Sequence, residues 1–201
     1  MRRRPVQQRS IERVERILDA CGELLDEAGF DALTPAEVAR RAEVPAATLY
    51  QFFDGKTGLM QALAMRNLEL LLDRLRRRAA AEPLLGWPRA AEIVVEETAA
   101  MRRAVPGFTV VDFADTRPGG TRFLPPGRTE GDDIFAERLY TFAVEEAGLP
   151  ELSDPYRVMR LTIEAAAVGL RLAFQHSPDG DAAMIGQTRR LLTAYLTDVT
   201  C

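Results

Sequence analysis

The sequence predicts an all-α protein of about nine helices, and three observations carry that prediction. Apolar residues recur at steps of three and four along nearly every segment. No stretch alternates apolar and polar residues as a half-buried strand does. Between Leu33 and Met60, helix start and stop signals follow each other closely enough to specify two short helices in tandem.

Composition permits such a fold. At 47% hydrophobic residues the chain can bury a sizeable core, so disorder is not the default. A net charge of −4 argues against generic coating of nucleic acid by the whole surface. Positive charge is nevertheless concentrated at the start, where Arg2, Arg3, Arg4, Arg9, Arg13 and Arg16 face only Glu12 and Glu15. Cys21 and Cys201 form no metal or disulfide pattern. Without a signal peptide or an apolar run of about 18 residues, the chain is expected in the cytoplasm with no membrane partner.

In chain order, Ser10 is the expected cap of the first helix. Val14, Ile17, Leu18, Cys21, Leu24, Leu25 and Ala28 form its apolar stripe, and Gly29 stops it. Thr34 caps the second helix, with Pro35 at its first position. Glu37 has the spacing to reach back to the Thr34 N–H and complete a capping box, and Leu33 and Val38 have that of a hydrophobic staple. Ala42-Glu43-Val44 breaks this helix, and a third begins near Pro45. A longer helix runs from Lys56 to about Ala80, and Ala81–Pro88, with two prolines and a glycine, reads as a linker. The next helix spans Pro88 to about Arg103 and is broken by Pro106-Gly107. Phe108–Thr116 reads as a short helix and Arg117–Gly131 as a loop rich in proline and glycine. Asp132–Ala147 is helical up to Gly148. Ser153 or Asp154 caps a helix that continues to about His176. Ser177–Gly180 is a turn, and a last helix starts at Asp181.

Two short helices joined this tightly are the device that lays a recognition helix in the major groove of DNA. The segments RILDACGELLDEAGFDALT, EVARRAEV and TLYQFFDGKTGLM also make residues 10–60 resemble the DNA-binding domain of the TetR/AcrR family of transcriptional repressors. The run Leu49-Tyr50, Phe53, Lys56, Leu59 fits that family's pattern closely. Three positions depart from it. Glu43 occupies a turn position that is often glycine, Pro45 replaces a frequent serine, and Phe52 stands where histidine is common.

On this footing, residues 1–55 are expected to form an N-terminal arm and helix-turn-helix domain. Residues 56–86 form a connecting helix and linker, and residues 87–201 an effector-binding and dimerisation domain. Pro45, Ala46, Ala47, Thr48 and Gln51 are placed to meet base edges. Small apolar groups suit thymine methyls, Thr serves either way, and Gln pairs with adenine. The resemblance assigns phosphates to Thr34, Tyr50 and Lys56, and a minor-groove arm to the segment holding Arg3 and Arg4. Arg74, Arg76, Arg77 and Arg78 read as a solvated face near a helix end.

The C-terminal domain, by the same resemblance, holds a small apolar or amphipathic effector. Met101, Phe108, Phe113, Phe142, Met159 and Phe174 are candidate cavity walls, with His176 at one end. Ala165, Ala166, Gly169 and Ala173 allow close helix approach. With Leu191, Ala194 and Tyr195 they resemble the helices that pair such subunits into a homodimer.

No cofactor is implied. The single histidine has no partners at metal-ligand spacing. The sequence contains no G-x-S-x-G, H-E-x-x-H, C-x-x-C or G-x-x-x-x-G-K-[ST] motif, so an enzyme is not expected. The expected function is a ligand-responsive repressor that binds a palindromic DNA operator as a dimer. Pro45 and the alanine-rich third helix keep a second reading open, a helical small-molecule-binding or interaction protein whose DNA domain has lost function.

Overall fold

The computed structural model describes residues 4–82, 86–108 and 134–200, with side chains from residue 8 onward. Among the described residues there are eight α-helices and no strand: α1 Arg4–Ala32, α2 Pro35–Arg41, α3 Ala46–Phe52, α4 Gly55–Ala81, α5 Trp87–Ala104, α6 Ile134–Thr141, α7 Pro155–Phe174 and α8 Ala182–Thr200. A π turn, Phe142–Glu146, continues α6. The helix and loop expected between 109 and 131 lie outside the described residues. No helix among the described residues is long and apolar enough to cross a membrane. The chain divides into two compact units, Met1–Asn67 with Val105–Asp112, and Leu68–Ala104 with Phe113–Cys201.

In the first unit α1 buries Ile17, Leu18, Cys21, Leu24 and Leu25 of its expected stripe, while Val14 is half-buried and Ala28, one residue before the Gly29 kink, is exposed. Burial pushes the Cys21 thiol up to about 12, which keeps it protonated at neutral pH. The helix begins at Arg4, so Ser10 lies inside it and does not cap it. Pro5 falls in the first turn, where a missing N–H is tolerated. Gly29, at φ 79°, interrupts α1 before its last three residues.

The entry to α2 follows its residues. Thr34 is extended, and its Oγ1 accepts from the Glu37 N–H at 3.3 Å. The return half of the capping box is replaced, because Arg40 holds both Glu37 carboxylate oxygens, its Nε at 2.9 Å. The exit from α2 is a Schellman motif. The Val44 N–H donates to the Ala39 carbonyl and the Glu43 N–H to the Arg40 carbonyl, at 3.0 and 3.2 Å. That motif needs a left-handed residue between helix and turn. Glu43 supplies it at φ 54°, the one non-glycine residue with positive φ among those described.

Two glycines fix another contact. A Cβ on Gly22 would lie 2.5 Å from the Pro106 carbonyl oxygen, and one on Gly107 would lie 2.6 Å from the Gly22 Cα. The backbone of α1 and the turn after α5 therefore touch directly, and Phe108 is fully buried beside that turn in sequence.

In the second unit α5 and α7 both pack on α8. Asp154 caps α7 through its Oδ1, which accepts from the Arg157 N–H at 3.3 Å. Asp181 caps α8 by accepting from Ala183 and Met184. Gly169 lets α7 approach α8, since a Cβ there would overlap the Thr188 hydroxyl. The arginines near the end of α4 are mostly engaged. Arg74 bonds Glu97 at 2.8 Å, Arg76 bonds Glu146 at 2.7 Å, and Arg78 bonds Glu96 at 3.2 Å.

A left-handed conformation costs an L-residue about 1–2 kcal/mol, of which glycine's greater chain entropy returns roughly half. Glu43→Gly is expected to raise unfolding stability by about 0.5–1 kcal/mol, read from the midpoint of a urea titration. Glu43→Ala, which keeps the Cβ, is expected to gain much less.

Candidate functional site

The short helix α3 is held down by one side and displayed by the other. Leu49 is fully buried, and Phe53, just past its end, is nearly so. On the outer side Pro45, Ala46, Ala47 and Gln51 are exposed, Thr48 is half-buried, and Tyr50 is 60% exposed. The sequence expectation named all of these, and the fold gathers them on one surface at the helix N-terminus and its first two turns. Pro45 precedes the helix without a side-chain cap bond, consistent with the missing serine oxygen. Phe52 is also partly exposed, its ring 6.3 Å from that of Phe53. None of the seven residues of α3 is charged.

Charge surrounds α3 instead. The Thr34 hydroxyl accepts from Glu37 and keeps its own proton to donate. Lys56 lies with Nζ 4.0 Å from the centre of the Phe30 ring and 3.5 Å from the Asp31 carbonyl oxygen. That contact holds the ammonium beside the last residues of α1. Arg41 bonds Glu27 through both terminal nitrogens, at 2.8 and 2.6 Å, which joins α2 to α1. The Arg41 hydrogen bonds hold the Glu27 carboxyl below its ordinary range, and those from Arg40 do the same for Glu37. Such pairs are intact at neutral pH and are lost as pH falls through the lowered carboxylate values. Arg3 lies outside the described residues. Arg4 is the first residue of α1, and its side chain is likewise outside them.

A second candidate site lies wholly in the second unit, an apolar cavity of about 60 Å³. Phe142 and Met159 line it, as expected. Met101 is fully buried but does not line it, and Phe108 belongs to the first unit. Phe174 is instead flanked by the Arg102 and Arg103 guanidinium groups, each 5.6 Å from its ring centre. His176 is exposed beyond the end of α7, and Phe113 lies outside the described residues. Trp87, Ala91, Ala143 and Thr162 line the cavity and were not expected to. Trp87 was legible only as part of a linker. Its indole N–H donates to the Pro150 carbonyl at 2.8 Å, and its ring stacks on Tyr140 at 5.8 Å.

Some small residues expected at a subunit face turn inward. Ala166 lines the cavity, Gly169 packs on Thr188, and Ala173 is buried. At Gly169 the small size serves approach between α7 and α8 within one chain. The outward stripe of α7 is Leu161, Val168 and Leu172, spaced by seven and four, with half-buried Ala165 between the first two. On α8, Leu191 and Ala194 are exposed and Tyr195 is half-buried.

Comparison with known proteins matches residues 17–63 to the family described as bacterial regulatory proteins, tetR family. Residues 85–199 match the tetracyclin repressor-like C-terminal domain. Over 92 residues, 46% of this chain, the sequence is 35% identical to the HTH-type transcriptional repressor KstR of Rhodococcus jostii, covering 42% of that protein. The chain thus matches less than half the length of the curated relatives it resembles. A TetR-family transcriptional regulator from Streptomyces coelicolor is 38% identical, with a TM-score of 0.79 over 93% of this chain and 99% of that one. The regulator FadR from Bacillus subtilis, solved in complex with stearoyl-CoA, shares the fold at 14% identity and a TM-score of 0.60, over 90% of this chain and 98% of that one.

The two sides of α3 predict opposite responses. Leu49→Ala empties a fully buried site and is expected to destabilise the protein by about 2–5 kcal/mol. Tyr50→Phe alters an exposed side chain and is expected to change stability by less than about 0.5 kcal/mol. Urea unfolding followed by circular dichroism measures both.

Proposed function

The chain belongs to the TetR family of bacterial regulatory proteins, and from that premise we propose that it is a ligand-responsive transcriptional repressor. It binds a palindromic operator as a homodimer in the cytoplasm and is released by a small molecule. The observation that carries this reading is the outward face of α3, exposed over Pro45, Ala46, Ala47 and Gln51 while Leu49 anchors its back.

On this reading residues 1–55 are the DNA-binding domain, 56–86 the connection, and 87–201 the effector and dimerisation domain. A two-fold dimer offers its two α3 helices to successive major grooves, about 34–36 Å apart or somewhat more. Leu161, Val168 and Leu172 of α7, with Leu191, Ala194 and Tyr195 of α8, supply the apolar face for the partner subunit. Thr34, Tyr50 and Lys56 bind phosphates, which sets register and carries the salt dependence. An effector relieves repression only to the extent that it binds the released conformer more tightly than the DNA-bound one.

The chemistry of α3 narrows the operator. With no arginine or lysine on this helix, the usual bidentate contact to guanine is absent from it. Pro45, Ala46 and Ala47 present hydrocarbon to thymine methyls, and Gln51 presents an amide suited to adenine.

Fluorescence anisotropy with duplexes from the region upstream of the protein's own gene tests the reading. The expected result is tight, salt-sensitive binding to a palindrome. Binding no stronger than to a random-sequence duplex removes it. Replacing a thymine under α3 by uracil deletes only a methyl group, and each contacted thymine is expected to lose about fourfold in affinity, the equivalent of one buried methyl at ~0.8 kcal/mol.

A further inference from the structure

We infer that the cavity of the second unit takes an uncharged, hydrocarbon-like compound and rejects amphiphiles that end in a carboxylate or phosphate. The inference rests on the reading of this cavity as the effector site, and it assigns that site a ligand class.

Its walls carry the chemistry. Thr162 is the one polar side chain without an aromatic ring among the described lining residues, and no charged side chain is among them. The Thr162 hydroxyl donates to the Val158 carbonyl at 2.7 Å, so its oxygen can only accept from a ligand. The Trp87 N–H is likewise committed, to the Pro150 carbonyl. The described walls therefore offer no free donor. An anionic headgroup placed there loses its hydration and gains no partner, whereas a hydrocarbon gains from leaving water.

The size of the cavity points to where it yields. At about 60 Å³ it is well short of the ~150 Å³ in which a buried apolar cavity holds benzene. A ring therefore needs one wall to move. The π turn supplies Phe142 and Ala143 to the lining, and the Ala147 N–H closes it onto the Phe142 carbonyl at 2.9 Å. This turn is the last of α6, and no further helical turn follows it before α7. From outside, this turn is held by Glu146 in an exposed ion pair with Arg76, a weak tether. Trp87 is more firmly fixed, stacked on Tyr140 and bonded to Pro150.

Trp87 is the only tryptophan in the chain, so its emission reports on this cavity without a label. The full chain, without DNA, is titrated with toluene, and with 1-hexanol against hexanoate, a pair alike in chain length and different in charge. Toluene and 1-hexanol are expected to give saturable shifts in Trp87 emission at one molecule per chain, and hexanoate at least tenfold weaker binding. Ala143→Phe, or Ala166→Leu should the first variant fail to fold, fills the cavity and is expected to cost at least tenfold in toluene affinity. Hexanoate binding as tightly as 1-hexanol, or no saturable response to either neutral compound, overturns the inference. A protein that binds toluene but no operator loses the repressor reading alone. One that binds its operator but no neutral compound loses the cavity assignment alone.

Discussion

A helix of seven residues does not stand by itself in water, because the first turn is paid for before enough hydrogen bonds form to repay it. Everything proposed for α3 depends on the burial that holds it in place. Leu49 enters the core of the first unit completely, and Phe53 closes its end. Leu33 and Val38 from the α2 side, and Leu59, Met60 and Leu63 from α4, are buried in the same unit. Once those apolar groups are fixed, the helical period leaves Ala46, Ala47, Tyr50 and Gln51 no inward position. The exposed face of α3 is thus a by-product of packing, which is why small uncharged residues suffice to build it.

The same dependence explains what was legible in the sequence. Caps are local, so Thr34, Asp154 and Asp181 each announced a helix start from their own residue type and a neighbouring proline or turn. The stripe of α1 was equally plain, since its apolar residues meet one continuous core. Where two local partners compete, the residues did not settle the outcome. Glu37 had the spacing for a capping box, yet Arg40 one turn later offers its carboxylate a charged fork. At the start of α1, Ser10 looked like a cap only because nothing before it was periodic enough to extend the helix.

Long-range geometry was harder to read. Small residues on α7 allow close approach, but the identity of the approaching helix is a tertiary fact. Gly169 meets Thr188 of the same chain, and the exposed face is carried by Leu161, Val168 and Leu172, of which the sequence reading had singled out neither leucine. Aromatic residues were an uneven guide to the cavity. Phe142 and Met159 reach it, while Phe174 is drawn to two guanidinium groups and Trp87 hid in a segment punctuated by prolines.

Chain continuity gives the two units a physical connection that no side-chain inventory reveals. Residues 105–108 belong to the first unit and follow α5 directly, and α4 passes from the first unit to the second at Asn67. Asn67 is fully buried with neither side-chain amide atom hydrogen-bonded, an arrangement with a real energetic cost. Within the first unit, α1 and the 105–108 turn meet through Gly22 and Gly107, where no Cβ fits. Close-packed backbone transmits a displacement instead of absorbing it. On the repressor reading, a ligand that displaces Trp87 or Ile93 acts on the helix whose end continues into that turn. A coupling by this route requires only that the backbone contact have two discrete arrangements that operator and ligand favour unequally. A side chain at either glycine would remove the contact itself.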